Sequence, residues 1–392
     1  MSAIERVTRR VRRGWLASPP ASPLATSAGE RNTALDAVRG VAVLGMLTMN
    51  AVAFGLPAAA YNNLNAAGSR APVDWIIGAA GEVFADQKFM GLFSILFGAG
   101  VVLFAERAAA KGRRCVLLSL WRNALLAAMG IAHAAVWEGN VLLLYGLCSP
   151  VVLALRRLPP KLLLALGGAC FAAVAVTSWA VQSSLDSSSS LLIEFWHHGA
   201  ISGITEVWFS VDVFGRALGA MLIGAALYRT GVIGGSRAPG FYRRLAAWGL
   251  GIGLPLSAAG LALVAGSGFD VDWAIAGTIP NTLATVPVCL GYIGLVTLWN
   301  RAAGSALRRR IRATGRMALT NYLAQTAFGI AVLESLSGNS EPGRSAIALF
   351  VVAVWAVQLW WSKAWLDRFA FGPVEWLWRC ATYRRWQPIR HR

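Results

Sequence analysis

Ten apolar stretches, joined by loops whose arginines fall on alternate sides, constrain this chain more than any other feature. A helix crossing a bilayer needs about 20 mostly apolar residues. Stretches of that kind run near 36–56, 84–106, 115–137, 141–156, 162–182, 208–228, 245–266, 277–299, 317–336 and 345–366. The stretch 141–156 is short, as for a tilted or half-length helix. Residues 72–84 are moderately apolar and read either as re-entrant or as an eleventh span. Loop charge arbitrates, because lysine and arginine stay on the cytoplasmic side. Ten crossings that start inside leave 30 of the 36 Lys and Arg in six inner segments and only Arg70 and Arg344 in outer ones. An eleventh crossing would invert most of that pattern and is rejected. The expected fold is therefore all-α: a polytopic helical membrane bundle of about ten transmembrane helices with both termini cytoplasmic. Three regions follow: a disordered basic head over 1–34, the helical domain over 35–366, and a basic, Trp-rich interfacial tail over 367–392.

Only 14% of the residues are charged and 56% are hydrophobic, where a soluble chain carries nearer a quarter charged. The net charge of +18 would point to nucleic acid in a soluble protein. Here topology accounts for it, and no nucleic-acid partner is expected. The expected partners are the lipid bilayer and a small-molecule or lipid substrate, with a homo-oligomer left open. Arginine outnumbers lysine 32 to 4 and alanine is abundant, a composition that suggests a GC-rich bacterial genome, and the expected location is the bacterial plasma membrane. Five scattered cysteines form no CxxC, so neither a disulfide frame nor a metal site follows. Small residues recur at helix-packing spacing in Ser94/Gly98, Gly215/Gly219 and Gly249/Gly253, where they let backbones approach closely.

Ionised groups inside a membrane need a partner or a role. Asp36 and Arg39 open the first span three residues apart, on one helical face. They read as an ion pair fixing the helix end or as an anion contact. Asn50 lies about 21 Å further along that helix, as a helix–helix hydrogen bond or a site residue. Arg122 sits seven residues into its span, and His133 near that span's outer end is the intramembrane histidine. Such a histidine can act as acid or base near neutral pH, though it often only bonds a neighbouring helix. Asp212 and Arg216 stand four residues apart and read as a pair. In the ninth span Arg316 shares a face with Thr320, and Asn321 shares one with Gln325. Four polar groups rising from the inner surface favour a cavity-lining role. No Walker loop, GxSxG elbow or HExxH is present.

Four motifs occur in order: Leu35-Asp36-Ala37-Val38-Arg39-Gly40 with Asn50; Lys88-Phe89 followed by Leu92-Phe93-Ser94-Ile95-Leu96-Phe97-Gly98; Gly315-Arg316-Met317-Ala318-Leu319-Thr320-Asn321-Tyr322; and Arg368-Phe369-Ala370-Phe371-Gly372-Pro373-Val374-Glu375-Trp376. Together they resemble the YeiB-type bacterial membrane family, domain of unknown function 418, from about 31 to 385. The Asp-x-x-Arg-Gly opening with its later Asn is more distantly similar to transmembrane acyltransferases of the heparan-α-glucosaminide N-acetyltransferase type. Those enzymes move acetyl from acetyl-CoA to an amine or hydroxyl beyond the membrane. That likeness implies acetyl-CoA or another acyl-CoA as cofactor, with Asp36 and Arg39 serving its entry and Asn50 at the reacting carbonyl; in an acyltransferase of this kind the basic inner mouth of Arg39, Arg122 and Arg316 would hold the CoA phosphates. The acyltransferases carry a histidine in the outer loop after the first span, and residues 57–83 hold none. His133, or His197 and His198, would have to replace it. The YeiB-type pattern usually has an aspartate where this chain has Asn140.

Three functions remain open from sequence: an acyl-CoA-dependent membrane acyltransferase with His133 as base, a transporter or flippase of a small metabolite or lipid, and a non-catalytic scaffold.

Overall fold

A computed structural model of the chain describes residues 32–302, 304–337 and 341–390. Most of the head expected over 1–34 lies outside the described residues. The helices are α1 (Thr33–Gly55), α2 (Pro72–Phe84), α3 (Lys88–Ala110), α4 (Cys115–Ala134), α5 (Leu142–Leu155), α6 (Pro160–Ser184), α7 (Ile204–Arg229), α8 (Pro239–Gly266), α9 (Ile279–Arg301), α10 (Ala306–Arg316), α11 (Ala318–Phe328), α12 (Arg344–Leu366) and α13 (Pro373–Tyr383). Among the described residues, eight segments are long and apolar enough to cross a membrane, α2 and α3 together counting as one. The expected span 141–156 is the fourteen-residue α5, about 21 Å long. The expected span 317–336 starts at a break: α10 ends at Arg316, Met317 leaves helical geometry, and α11 continues into a π-helical stretch, Gly329–Glu334.

Local chemistry explains the ends. The Asn32 side chain accepts from Leu35 N–H at 3.1 Å and caps α1, and Asp36 in the first turn favours the helix dipole. Proline occupies the first turn of α2, α6, α8, α9 and α13, where its missing N–H costs nothing. Between α2 and α3, Gln87 adopts a left-handed φ of 60°, so 72–84 is a separate helix turned against the one that follows.

Helix crossings use the glycines. A Cβ on Gly98 would lie 2.0 Å from the Met221 carbonyl oxygen, and one on Gly224 would lie 1.9 Å from that of Ile95. α3 and α7 thus meet backbone to backbone. Gly40 and Gly315 play the same part where α1 crosses α10. Gly215 and Gly219 face α6, and Gly249 and Gly253 face α9, in line with the packing role read from their spacing. A buried cluster around Leu92, Ile95, Tyr145, Met221 and Leu222 fills the centre. Large apolar side chains such as Leu349 (71% exposed) and Trp248 (69%) cover the outside, the surface a bilayer covers in a helical bundle.

The basic loops gather at one end. Arg229 donates to the carbonyls of Arg156 (3.3 Å) and Leu158. Arg301 reaches Gly235 (2.6 Å) and Arg237 (2.5 Å), and Asn32 reaches Gly234 (3.0 Å). Arg113 lies over the Tyr383 ring. At the opposite end the acidic loops interlock, as in Glu341 with Gly68 N–H (2.6 Å) and Asn63 with the Trp196 carbonyl (3.2 Å).

Candidate functional site

A cavity of about 820 Å³ opens at the basic end and reaches into the bundle. Its wall follows α3 from Arg107 and Lys111 at the mouth inward to Phe93, fourteen residues that rise about 21 Å. Tyr145, Tyr322 and Val141 border the inner part. The C-terminal tail supplies another wall through α13, so it is structural as well as superficial. Trp121 Nε1 donates to the Ala381 carbonyl (3.1 Å) and Trp378 Nε1 to that of Arg122 (3.0 Å), tying α13 to α4.

Three of the arginines singled out by sequence meet here. Arg39 on α1, Arg122 on α4 and Arg316 at the end of α10 all line the cavity. The Gly40–Gly315 crossing brings α1 and α10 close enough for Arg39 and Arg316 to face the same space. Arg122 is sandwiched between the rings of Phe104 (4.3 Å) and Trp378 (4.1 Å). Two aromatic faces hold its guanidinium in place without neutralising it. Asp36 is buried and 3.9 Å from Arg39, which orients that arginine. Counting the mouth, eight cationic side chains line the cavity against one carboxylate, Glu375.

That carboxylate is already engaged. Glu375 Oε1 accepts from the backbone N–H of Leu319 (2.7 Å) and Thr320 (3.1 Å), and Oε2 accepts from Thr320 Oγ1 (2.5 Å). These are the orphan donors of α11, exposed by the break at Met317. Burial raises the Glu375 carboxyl above its usual range, opposed by the Thr320 and Leu319 bonds. The folded chain then holds this proton more tightly than the unfolded one. The group's contribution to stability is present below about pH 4.5 and is lost as pH rises through the higher folded value. Glu375→Gln is expected to flatten that part of the curve of melting temperature against pH. Glu375→Ala, which removes the cap, is expected to cost about 1 kcal/mol.

The other sequence candidates sit elsewhere. Asn321 and Gln325 do not line the cavity. Asn321 Nδ2 donates to Ser362 Oγ (3.0 Å) and its Oδ1 accepts from Trp361 Nε1 (2.7 Å), while Gln325 Nε2 donates to Gln358 Oε1 and the Val43 carbonyl, both at 3.0 Å. They form a buried polar ladder joining α11 to α12 and α1. Thr320 touches the cavity only through Glu375. Asp212 and Arg216 form a buried ion pair outside the cavity. Asn50 is half-buried and likewise outside its lining. His133 lies one layer behind the wall. Its ring is 5.5 Å from that of Tyr322, and Nε2 is 3.0 Å from Thr326 Oγ1. Its Nδ1 is buried without a hydrogen-bond partner among the described residues. Asn140 accepts from Leu143 N–H (3.3 Å) at the start of α5.

Sequence reading passed over Glu375, Trp378 and Tyr145 as site residues. The available signal was a carboxylate in a tail otherwise rich in arginine. Tyr145 carries none, because its hydroxyl meets Ser94 Oγ (2.9 Å) 51 residues away.

The family model described as "Protein of unknown function (DUF418)" matches residues 227–385. The chain is 34% identical over 384 residues to the uncharacterized protein YeiB of Escherichia coli (strain K12), covering 91% of this chain and 97% of that one. The chain belongs to the YeiB-type family. Among other YeiB-type relatives, the uncharacterized protein YxaH of Bacillus subtilis (strain 168) is 29% identical over 411 residues, covering 93% of this chain and 97% of that one. No solved structure matches this YeiB-type chain.

Proposed function

We propose that this YeiB-type protein is an acyl-CoA-dependent membrane acyltransferase whose cavity takes the cofactor from the basic end. The observation that carries the reading is the convergence of Arg39, Arg122 and Arg316 from three helices on one cavity, whose one lining carboxylate among the described residues, Glu375, is engaged by the N–H groups that open α11. Arginine forks suit phosphate oxygens, and CoA carries several. The cavity's volume is within the range of small-molecule sites, and its inner part is lined by Phe93, Phe97, Tyr145 and Tyr322, which suits an apolar acyl arm. His133, behind Tyr322, is the candidate base for an amine or hydroxyl acceptor. Asn50, away from the cavity, is assigned no step.

Under the same reading the basic end faces the cytosol of a bacterial inner membrane. α5 and the α11 segment complete ten crossings, and both termini are cytoplasmic. A periplasmic reporter signal from a fusion after Arg392 would contradict this orientation.

The binding test uses the detergent-purified full chain, titrated calorimetrically with acetyl-CoA. The expected result is saturable binding that weakens with added salt and falls at least tenfold in Arg122→Ala and in Arg316→Ala. Absence of heat at millimolar acetyl-CoA overturns the proposal. A transporter is the second reading, favoured by a separate small chamber at the opposite end, lined in part by Gln87 just ahead of α3. It predicts solute counterflow in proteoliposomes without acyl-CoA.

A further inference from the structure

At the acidic end, where α2 turns into α3, a chamber of about 50 Å³ is bordered by Glu82, Asp86, Asn281 and Ser257 on one side and by Trp196, Trp273 and Phe269 on the other. Asp86 is 5% exposed. Its Oδ2 accepts from Asn281 Nδ2 at 2.6 Å, and its Oδ1 is buried with no hydrogen-bond donor among the described residues.

The obvious donor is already committed. Lys88 is fully buried and has three N–H groups. One goes to the Glu82 carbonyl (2.7 Å), one to Ser257 Oγ (2.7 Å) and one to Asn281 Oδ1. Ser257 Oγ in turn donates to Asn281 Oδ1 (2.7 Å). None of these donors is left for Asp86 Oδ1. A buried carboxylate oxygen lacking a donor is costly, and here its residue lines a space that three aromatic residues also line.

We propose that this chamber binds the head of a small alkylammonium ion. An ammonium N–H would supply the missing donor to Asp86 Oδ1. The faces of Trp196, Trp273 and Phe269 would hold its alkylated side by cation–π attraction, which favours organic ammonium. The volume admits a group of a few heavy atoms, not a whole metabolite. The site lies beyond the acyl-CoA cavity, and its existence does not depend on acyl transfer.

The test uses the full chain in detergent with methylammonium chloride as probe and sodium chloride at equal ionic strength as reference. A ligand of two heavy atoms is limited to roughly millimolar affinity or weaker, so the readout is a saturable rise in melting temperature. The wild-type protein is expected to show that rise with methylammonium and not with sodium. Asp86→Asn should shift the half-saturating concentration at least tenfold upward. Trp273→Leu should raise it several-fold while Trp273→Phe, which keeps an aromatic face, stays near wild type. This second pair decides the matter if Asp86→Asn fails to fold. Equal responses to sodium and methylammonium, an unchanged Asp86→Asn, or no response in the wild type each overturn the proposal. Acetyl-CoA titration of the same samples reads the other cavity separately, so either assignment can fail without the other.

Discussion

Gly224→Ala is expected to lower the melting temperature of the detergent-purified chain sharply, at a cost of about 3 kcal/mol, the upper end for overpacking a core. The added methyl would sit 1.9 Å from the Ile95 carbonyl oxygen, and on the facing helix a Cβ added at Gly98 would sit 2.0 Å from the Met221 carbonyl oxygen. Both obstacles are backbone, so no side-chain rotation relieves them. Either α3 or α7 must move. Because α3 carries Phe93, Phe97, Phe104 and Arg107 of the cavity wall, that movement should also weaken acetyl-CoA binding under the proposed function. Gly251→Ala is the control: nothing lies within 4 Å of its added carbon. There alanine should be neutral or stabilising by up to about 1 kcal/mol, since it is the better helix former. If Gly224→Ala melts like the wild type, the direct backbone contact between α3 and α7 is wrong.

Removing Asp212 should be comparably severe. Asp212 and Arg216 are 4% and 9% exposed and form a pair across one turn of α7. Asp212→Ala leaves a guanidinium buried without its counter-ion, a change that typically costs about 3–5 kcal/mol. The double variant Asp212→Leu/Arg216→Met replaces the pair with apolar groups and is expected to recover most of that loss. Melting curves of the two singles and the double form a cycle that measures the coupling directly. Additive losses, with the double variant worse than either single, would show that the two side chains do not depend on each other.

Helix existence and charge sidedness were legible in the chain because both are local. An apolar run of 20 residues and an arginine in the following loop are read without knowing any partner. The same holds for the glycines spaced four apart. The break at Met317 was not legible, because Gly315-Arg316-Met317-Ala318 carries no proline and reads as continuous helix. What stabilises the break is Glu375, 56 positions from the Leu319 N–H it caps.

The sequence alone determined a helical membrane bundle with basic loops at one end, since span length and loop charge follow from composition within each segment. It also marked Arg39, Arg122 and Arg316, because charges that deep need a reason. Only the tertiary structure decided which polar groups surround open space. Asn321 and Gln325 share a helical face as their spacing requires, yet Gln358, Ser362 and the Val43 carbonyl close over that face. Periodicity tells which residues look the same way, but what they look at depends on helices 33 to 282 positions away in the chain, packed by contacts that no local pattern records.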